Sequence, residues 1–132
     1  MSVMKREQLA RGVASWVGVF LLTLGAWAFI SPITFWERVA LFEPYNPHFV
    51  RDTGAFQLGL GAALLLALQW KDALLVALGA AGAGSVAHFA GHVLDQDLGG
   101  GGPVDLIVLG IVALALVLGF WWRLRTAPSD AG

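Results

Sequence analysis

The sequence predicts an all-α integral membrane protein, a four-helix antiparallel bundle with a short interfacial helix between its first and second spans. Three observations carry that reading. Four apolar stretches, 12–30, 53–70, 73–94 and 106–122, contain no Asp, Glu, Lys or Arg, and each approaches or exceeds the ~18–20 residues that cross a bilayer as a helix. Hydrophobic residues make up 58% of the 132 and charged residues only 13%, with a mean hydropathy of +0.73. A soluble core of 14.0 kDa has no room to hide that much apolar surface, so lipid must cover the excess. Finally, Lys5, Arg6, Arg11, Lys71, Arg123 and Arg125 fall on one side of the spans, and only Arg38 and Arg51 on the other.

The first span, at about 12–30, follows Lys5, Arg6 and Arg11 as a secretory signal would, and Ala26-Trp27-Ala28 loosely imitates a cleavage site. Its apolar run is nevertheless longer than the ~7–15 residues of a signal core. It reads as a retained span. The connection 31–50 sets Ile33, Phe35, Trp36, Val39, Ala40 and Phe42 around Glu37, Arg38 and Glu43, the amphipathic pattern of a short helix lying at a membrane interface. Pro44-Tyr45-Asn46-Pro47 then breaks the helical ladder and redirects the chain.

The second span, at about 53–70, and the third, at about 73–94, are joined by Lys71-Asp72, a turn so tight that the two spans must be antiparallel neighbours. Gly99–Gly102 and Pro103 form a flexible connection into the fourth span, at about 104–122. The glycine run is not a phosphate loop, because no Lys-Ser/Thr follows it and no strand precedes it. These connections leave no separate soluble module, and 1–132 reads as one transmembrane domain. Bases concentrate in the cytoplasmic loops of helical membrane proteins. Both termini are therefore expected in the cytoplasm, with the protein a multi-pass resident of the inner (plasma) membrane. Trp36 and Tyr45 at one end, and Trp70, Trp121 and Trp122 at the other, occupy headgroup depth as anchors.

Bundles in lipid are held by close approach of small residues. The second span carries Gly54, Gly59 and Gly61, and the third carries Ala80-xxx-Gly84 and Ala83-xxx-Ala87-xxx-Gly91. Replacing Gly84 with Leu is expected to splay the helices.

Several function classes are excluded or thinned. No basic cluster is dense enough to grip a nucleic-acid backbone. With no cysteine there is no disulfide, thiolate ligand, iron–sulfur cluster or thiol nucleophile. No catalytic residue announces itself.

Polar groups inside spans are expensive and default to functional candidates. His88 and His92, four residues apart, share one face of the third span, and Asp95 continues the stripe at i+7. Two imidazoles and a carboxylate suit a transition metal. Phe89 stands where a helical zinc protease carries Glu, which disfavours peptide hydrolysis. Asp52, Arg51, His48 and Gln57 are the polar partners that the topology brings to the same end, where Glu43 and Asp105 offer further carboxylates. The bland alternative is that the histidines only hydrogen-bond Asp52, Asp95, Gln57 or backbone carbonyls between helices. Asp52 itself reads as a cap on the start of the second span, paired with Arg51.

The layout of four short spans, the long first connection with Trp36 and Pro44, and Arg51-Asp52-Thr53-Gly54 leading into Gly59-Leu60-Gly61 resembles the DoxX-like group of small bacterial membrane proteins. The resemblance implies association with quinone-linked oxidoreductases through a membrane partner, and carries no catalytic residue to this chain. Three expectations follow. The first is an accessory or small-ligand-binding component of a membrane complex, associating with itself or another membrane protein as well as with lipid. The second is a metal-binding membrane oxidoreductase built on His88, His92 and Asp95. The third is a proton or small-solute conduit, which the first and fourth spans do not favour because they contain no ionisable residue.

Overall fold

The structure is a computed structural model that describes residues 1–98 and 102–126; the glycines expected to form the last connection, Gly99–Gly101, lie outside them. Every regular element among the described residues is helical. α1 runs over Val3–Ile30, α2 over Pro32–Phe35, α3 over Pro47–Leu66, α4 over Lys71–Leu94 and α5 over Pro103–Leu124. A π-helical turn, Trp36–Ala40, continues α2, and short 3-10 turns, Ala67–Gln69 and Gln96–Leu98, follow α3 and α4.

Local chemistry explains the boundaries. Ser2 accepts a hydrogen bond from the Lys5 N–H and caps α1. The helix stops at Ser31, whose φ of −130° and ψ of 68° leave the helical region, because Pro32 disfavours that region for the residue before it. Asn46 accepts from the N–H groups of His48 and Phe49, and Pro47 occupies the first helical position, where its missing donor is not needed. α3 therefore starts at Pro47 rather than near 53, and Asn46 is the cap expected of Asp52. Leu41, left-handed at φ 40°, ends the π turn.

Among the described residues three helices are long and apolar enough to cross a membrane: α1, α4 from Asp72 onward, and α5. α3 has the length, at 20 residues, but His48, Arg51, Asp52 and Gln57 lower its hydropathy. α5 turns Ile107, Ile111, Leu114, Leu118 and Trp121 outward as one exposed apolar face.

The N-terminus of α1, the turn between α3 and α4, and the C-terminus of α5 meet at one end, here called the termini end. Arg11 donates to the Leu68 carbonyl at 3.1 Å, and the buried Arg123 guanidinium stands 3.7 Å from the Glu7 carboxylate. The main core lies in this half, where Ala14, Val17, Leu64, Leu74, Leu78 and Leu116 are buried together.

Packing pairs the helices two by two. α1 lies on α3 through opposed glycines: a Cβ on Gly25 would stand 2.8 Å from the Gly54 carbonyl oxygen, and one on Gly61 would stand 2.8 Å from that of Gly18. Both helices space these glycines by seven residues, so the contact repeats every two turns. α4 lies on α5, where Gly79 receives the Phe120 ring and Gly110 the Phe89 ring. α1 also meets α5. α3 and α4, despite the tight turn between them, touch each other far less than either touches its main partner. Gly84 packs against nothing, and a Cβ there has open space. Its expected role in holding these helices together is therefore corrected: the face carrying Ala80, Ala83, Gly84 and Ala87 is exposed.

α2 and the π turn fold back onto the opposite, far end. Phe35 is buried with Ala28 and Val50, under Trp36, Val39, Phe42 and Tyr45. Trp36 donates its indole N–H to the Phe42 carbonyl and lies 5.0 Å from the Tyr45 ring, so it braces the loop. Glu37 and Arg38 remain exposed, and the segment keeps the amphipathic character expected of it.

Candidate functional site

The folded-back segment and the parting of α3 from α4 leave a cavity of about 460 Å³ in the far half of the molecule. Eighteen residues line it, twelve of them apolar. The apolar wall comes from Phe20, Leu21 and Leu24 of α1, from Phe35, Val39 and Phe42 above them, and from Val108, Leu109 and Val112 of α5. Thr53 and Gln57 of α3, Ser85, His88 and His92 of α4, and Asp105 of α5 provide the polar groups.

These polar groups form levels along the helices. His92 and Asp105 sit within the terminal turn of α4 and the first turn of α5. His88 and Thr53 come about one turn deeper, and Ser85 and Gln57 about one turn deeper again. At 1.5 Å per residue, Gln57 lies roughly 15 Å along α3 from Pro47.

The state of each group differs. The Asp105 carboxylate accepts a 2.7 Å hydrogen bond from the Gly102 N–H, which fastens the start of α5 and favours negative charge near a helix N-terminus. The Thr53 hydroxyl donates to the Phe49 carbonyl one turn back. The His88 and His92 rings stack edge to face with centroids 4.9 Å apart, as the i, i+4 spacing requires. Neither ring has a hydrogen-bond partner among the described residues. The Gln57 Oε1 atom is buried and also without a partner. A buried acceptor left bare costs about 1–3 kcal/mol.

The structure brings together only some of the residues singled out from sequence. His88, His92 and Gln57 share the cavity. Asp95 does not join them: it leaves the helix at φ −102°, ψ 21°, and is exposed, because the stripe of α4 ends one residue before it. Among the described residues no group of three or more His, Asp or Glu side chains is placed to hold a metal. The expected centre of His88, His92 and Asp95 is thus not assembled, and what remains is two adjacent imidazoles. Asp52 lies 3.4 Å from the His48 ring on the exposed side of α3, pairing one turn back rather than with Arg51, and is not part of the cavity lining. Arg51 is exposed.

Asp105, expected at the same end as the histidines, does line the cavity with them. Sequence reasoning missed Ser85 and Thr53 as cavity residues, as well as the whole apolar wall from α1. These depend on how the helices are set apart.

The comparisons add nothing to this geometry and do not bear on the DoxX-like resemblance: no family model, curated protein or solved structure matches the chain.

Proposed function

We propose that the chain is a four-span inner-membrane protein with both termini in the cytoplasm, serving as a small-ligand-binding component of a membrane assembly. The cavity carries this reading. Its volume falls in the ~300–1,000 Å³ range of small-molecule sites, and a mostly apolar lining with a few unpartnered polar groups is the usual composition of such sites.

The membrane part is supported by the outward apolar face of α5, which in water would be a large exposed patch. The charges of α3 lie in its first two turns, toward the far end, so the rest of the helix is apolar enough to cross beside α1. Six of the eight Lys and Arg residues belong to the termini end, and Trp70 and Trp121 are exposed there, where amphipathic rings prefer to lie. The exposed small-residue face of α4 supports the assembly part, since a second membrane helix packs most closely on such a surface.

The test is to purify the protein in mild detergent, extract it with organic solvent and analyse the extract by mass spectrometry. A lipophilic small molecule near one equivalent is expected, and it should be lost in Ser85→Trp, which fills the cavity. An extract that is the same for both proteins and contains only bulk lipid would overturn the reading.

A further inference from the structure

Resting on the ligand-binding reading above, we infer that the cavity takes a lipophilic organic cation, a single positive charge of the ammonium type carried on a hydrocarbon body. The charge on the lining selects the sign. Asp105 is the carboxylate of the cavity, and among the described residues no Lys or Arg shares the lining with it. Arg38 and Arg51, the bases of this end, are exposed and lie outside the lining, and no ion pair among the described residues reaches Asp105. Its hydrogen bond from the Gly102 N–H, at 2.7 Å, comes from an uncharged donor and leaves the negative charge uncompensated. His88 and His92, the other ionisable groups on the lining, offset that charge only when protonated.

The surroundings fit the rest of such a ligand. Phe42 and Phe49, with ring centroids 5.3 Å apart, line the cavity at the same end as Asp105, and an aromatic face attracts a cation. From Asp105 the lining runs along α5 through Leu109 to Val112, two turns or roughly 10 Å deeper, where Phe20 and Leu21 of α1 pack against the same cluster. That depth takes hydrocarbon.

Approach is biased in the same direction. Glu37, Glu43, Asp95 and Asp97 are exposed at this end, and they outnumber its two arginines, so the surface draws cations toward it. An anion meets Asp105 with no counter-charge beside it. A neutral chain gains nothing from the carboxylate or from the rings' charge preference.

The experiment uses the full chain in phosphatidylcholine nanodiscs at about pH 8, where an ordinary imidazole is neutral. Radiolabelled decyltrimethylammonium is the probe, with empty nanodiscs subtracted. The unlabelled competitors, matched by mole fraction in the lipid, are decyltrimethylammonium itself, its uncharged isostere with carbon in place of nitrogen, and decanesulfonate. The isostere is expected to compete about tenfold more weakly than the ammonium, and the sulfonate more weakly still. Asp105→Asn keeps an acceptor for the Gly102 N–H, and it should weaken probe binding about tenfold and bring the ammonium close to the isostere. Equal competition by ammonium and isostere in the unaltered protein would overturn the choice of a cation while leaving a lipophilic site intact, as would stronger competition by the sulfonate. Unchanged probe binding in a folded Asp105→Asn protein would overturn it as well. If the probe does not bind, the inference falls, and if native extracts also show nothing that Ser85→Trp removes, the ligand-binding reading falls with it. Because the competitors are compared on the unaltered chain, the test stands even if Asp105→Asn fails to fold.

Discussion

Gly25 and Gly54 face each other so closely that a Cβ on either residue would stand 2.8 Å from the other's carbonyl oxygen. Backbone cannot yield there as a flexible side chain would. Gly25→Ala or Gly54→Ala should destabilise the protein by about 1–3 kcal/mol, the usual scale of overpacking, read as a lower melting temperature in detergent. Gly84→Leu should leave the monomer's melting temperature unchanged and instead weaken association through the exposed face of α4, read by size-exclusion chromatography with light scattering.

At the same end of this helix pair, the side chain of Asn46 holds the first turn of α3. Asn46→Ala removes the acceptor for two backbone N–H groups and should lower stability by about 1 kcal/mol. Asp52→Ala, outside the cap, should have less than half that effect. Equal losses would return Asp52 to the role that its position beside an apolar run suggests.

What was legible in the sequence was hydropathy and periodicity; what was not depends on tertiary placement. The apolar runs point to the long helices, yet hydropathy alone starts α3 six residues late, because His48, Arg51 and Asp52 look like a loop. The small residues of α3 were visible as packing positions, but their partners Gly18 and Gly25 were not, since a heptad match between two helices becomes meaningful only once they are known to pair. On α4 the small-residue stripe suggested an internal contact that the parting of α3 and α4 removes. His88, His92 and Gln57 stood out because polar groups are rare in such helices. Their common cavity did not, since it exists only where α2 folds back.

Glu7 and Arg123 join the first and last helices through a buried guanidinium. Glu7→Gln keeps the shape and removes the charge that faces the guanidinium at 3.7 Å, and should cost about 1–3 kcal/mol, between an exposed ion pair and a fully buried one. Denaturant unfolding in micelles measures it. A loss below about 0.5 kcal/mol would place this contact among ordinary exposed ion pairs.

Orientation is directly testable because the chain has no native cysteine. In intact cells, a membrane-impermeant maleimide should label Asp97→Cys but should label Asp72→Cys only after permeabilisation. The reverse pattern would invert the proposed topology.

The two-by-two pairing of the long helices also bears on how the molecule is made. Each pair, α1 with α3 and α4 with α5, consists of consecutive long segments, so the first hairpin can close before the second has been synthesised. Interrupting the backbone between Trp70 and Lys71 should then yield two fragments that insert independently and reassemble when co-expressed, held by the contact of α1 with α5.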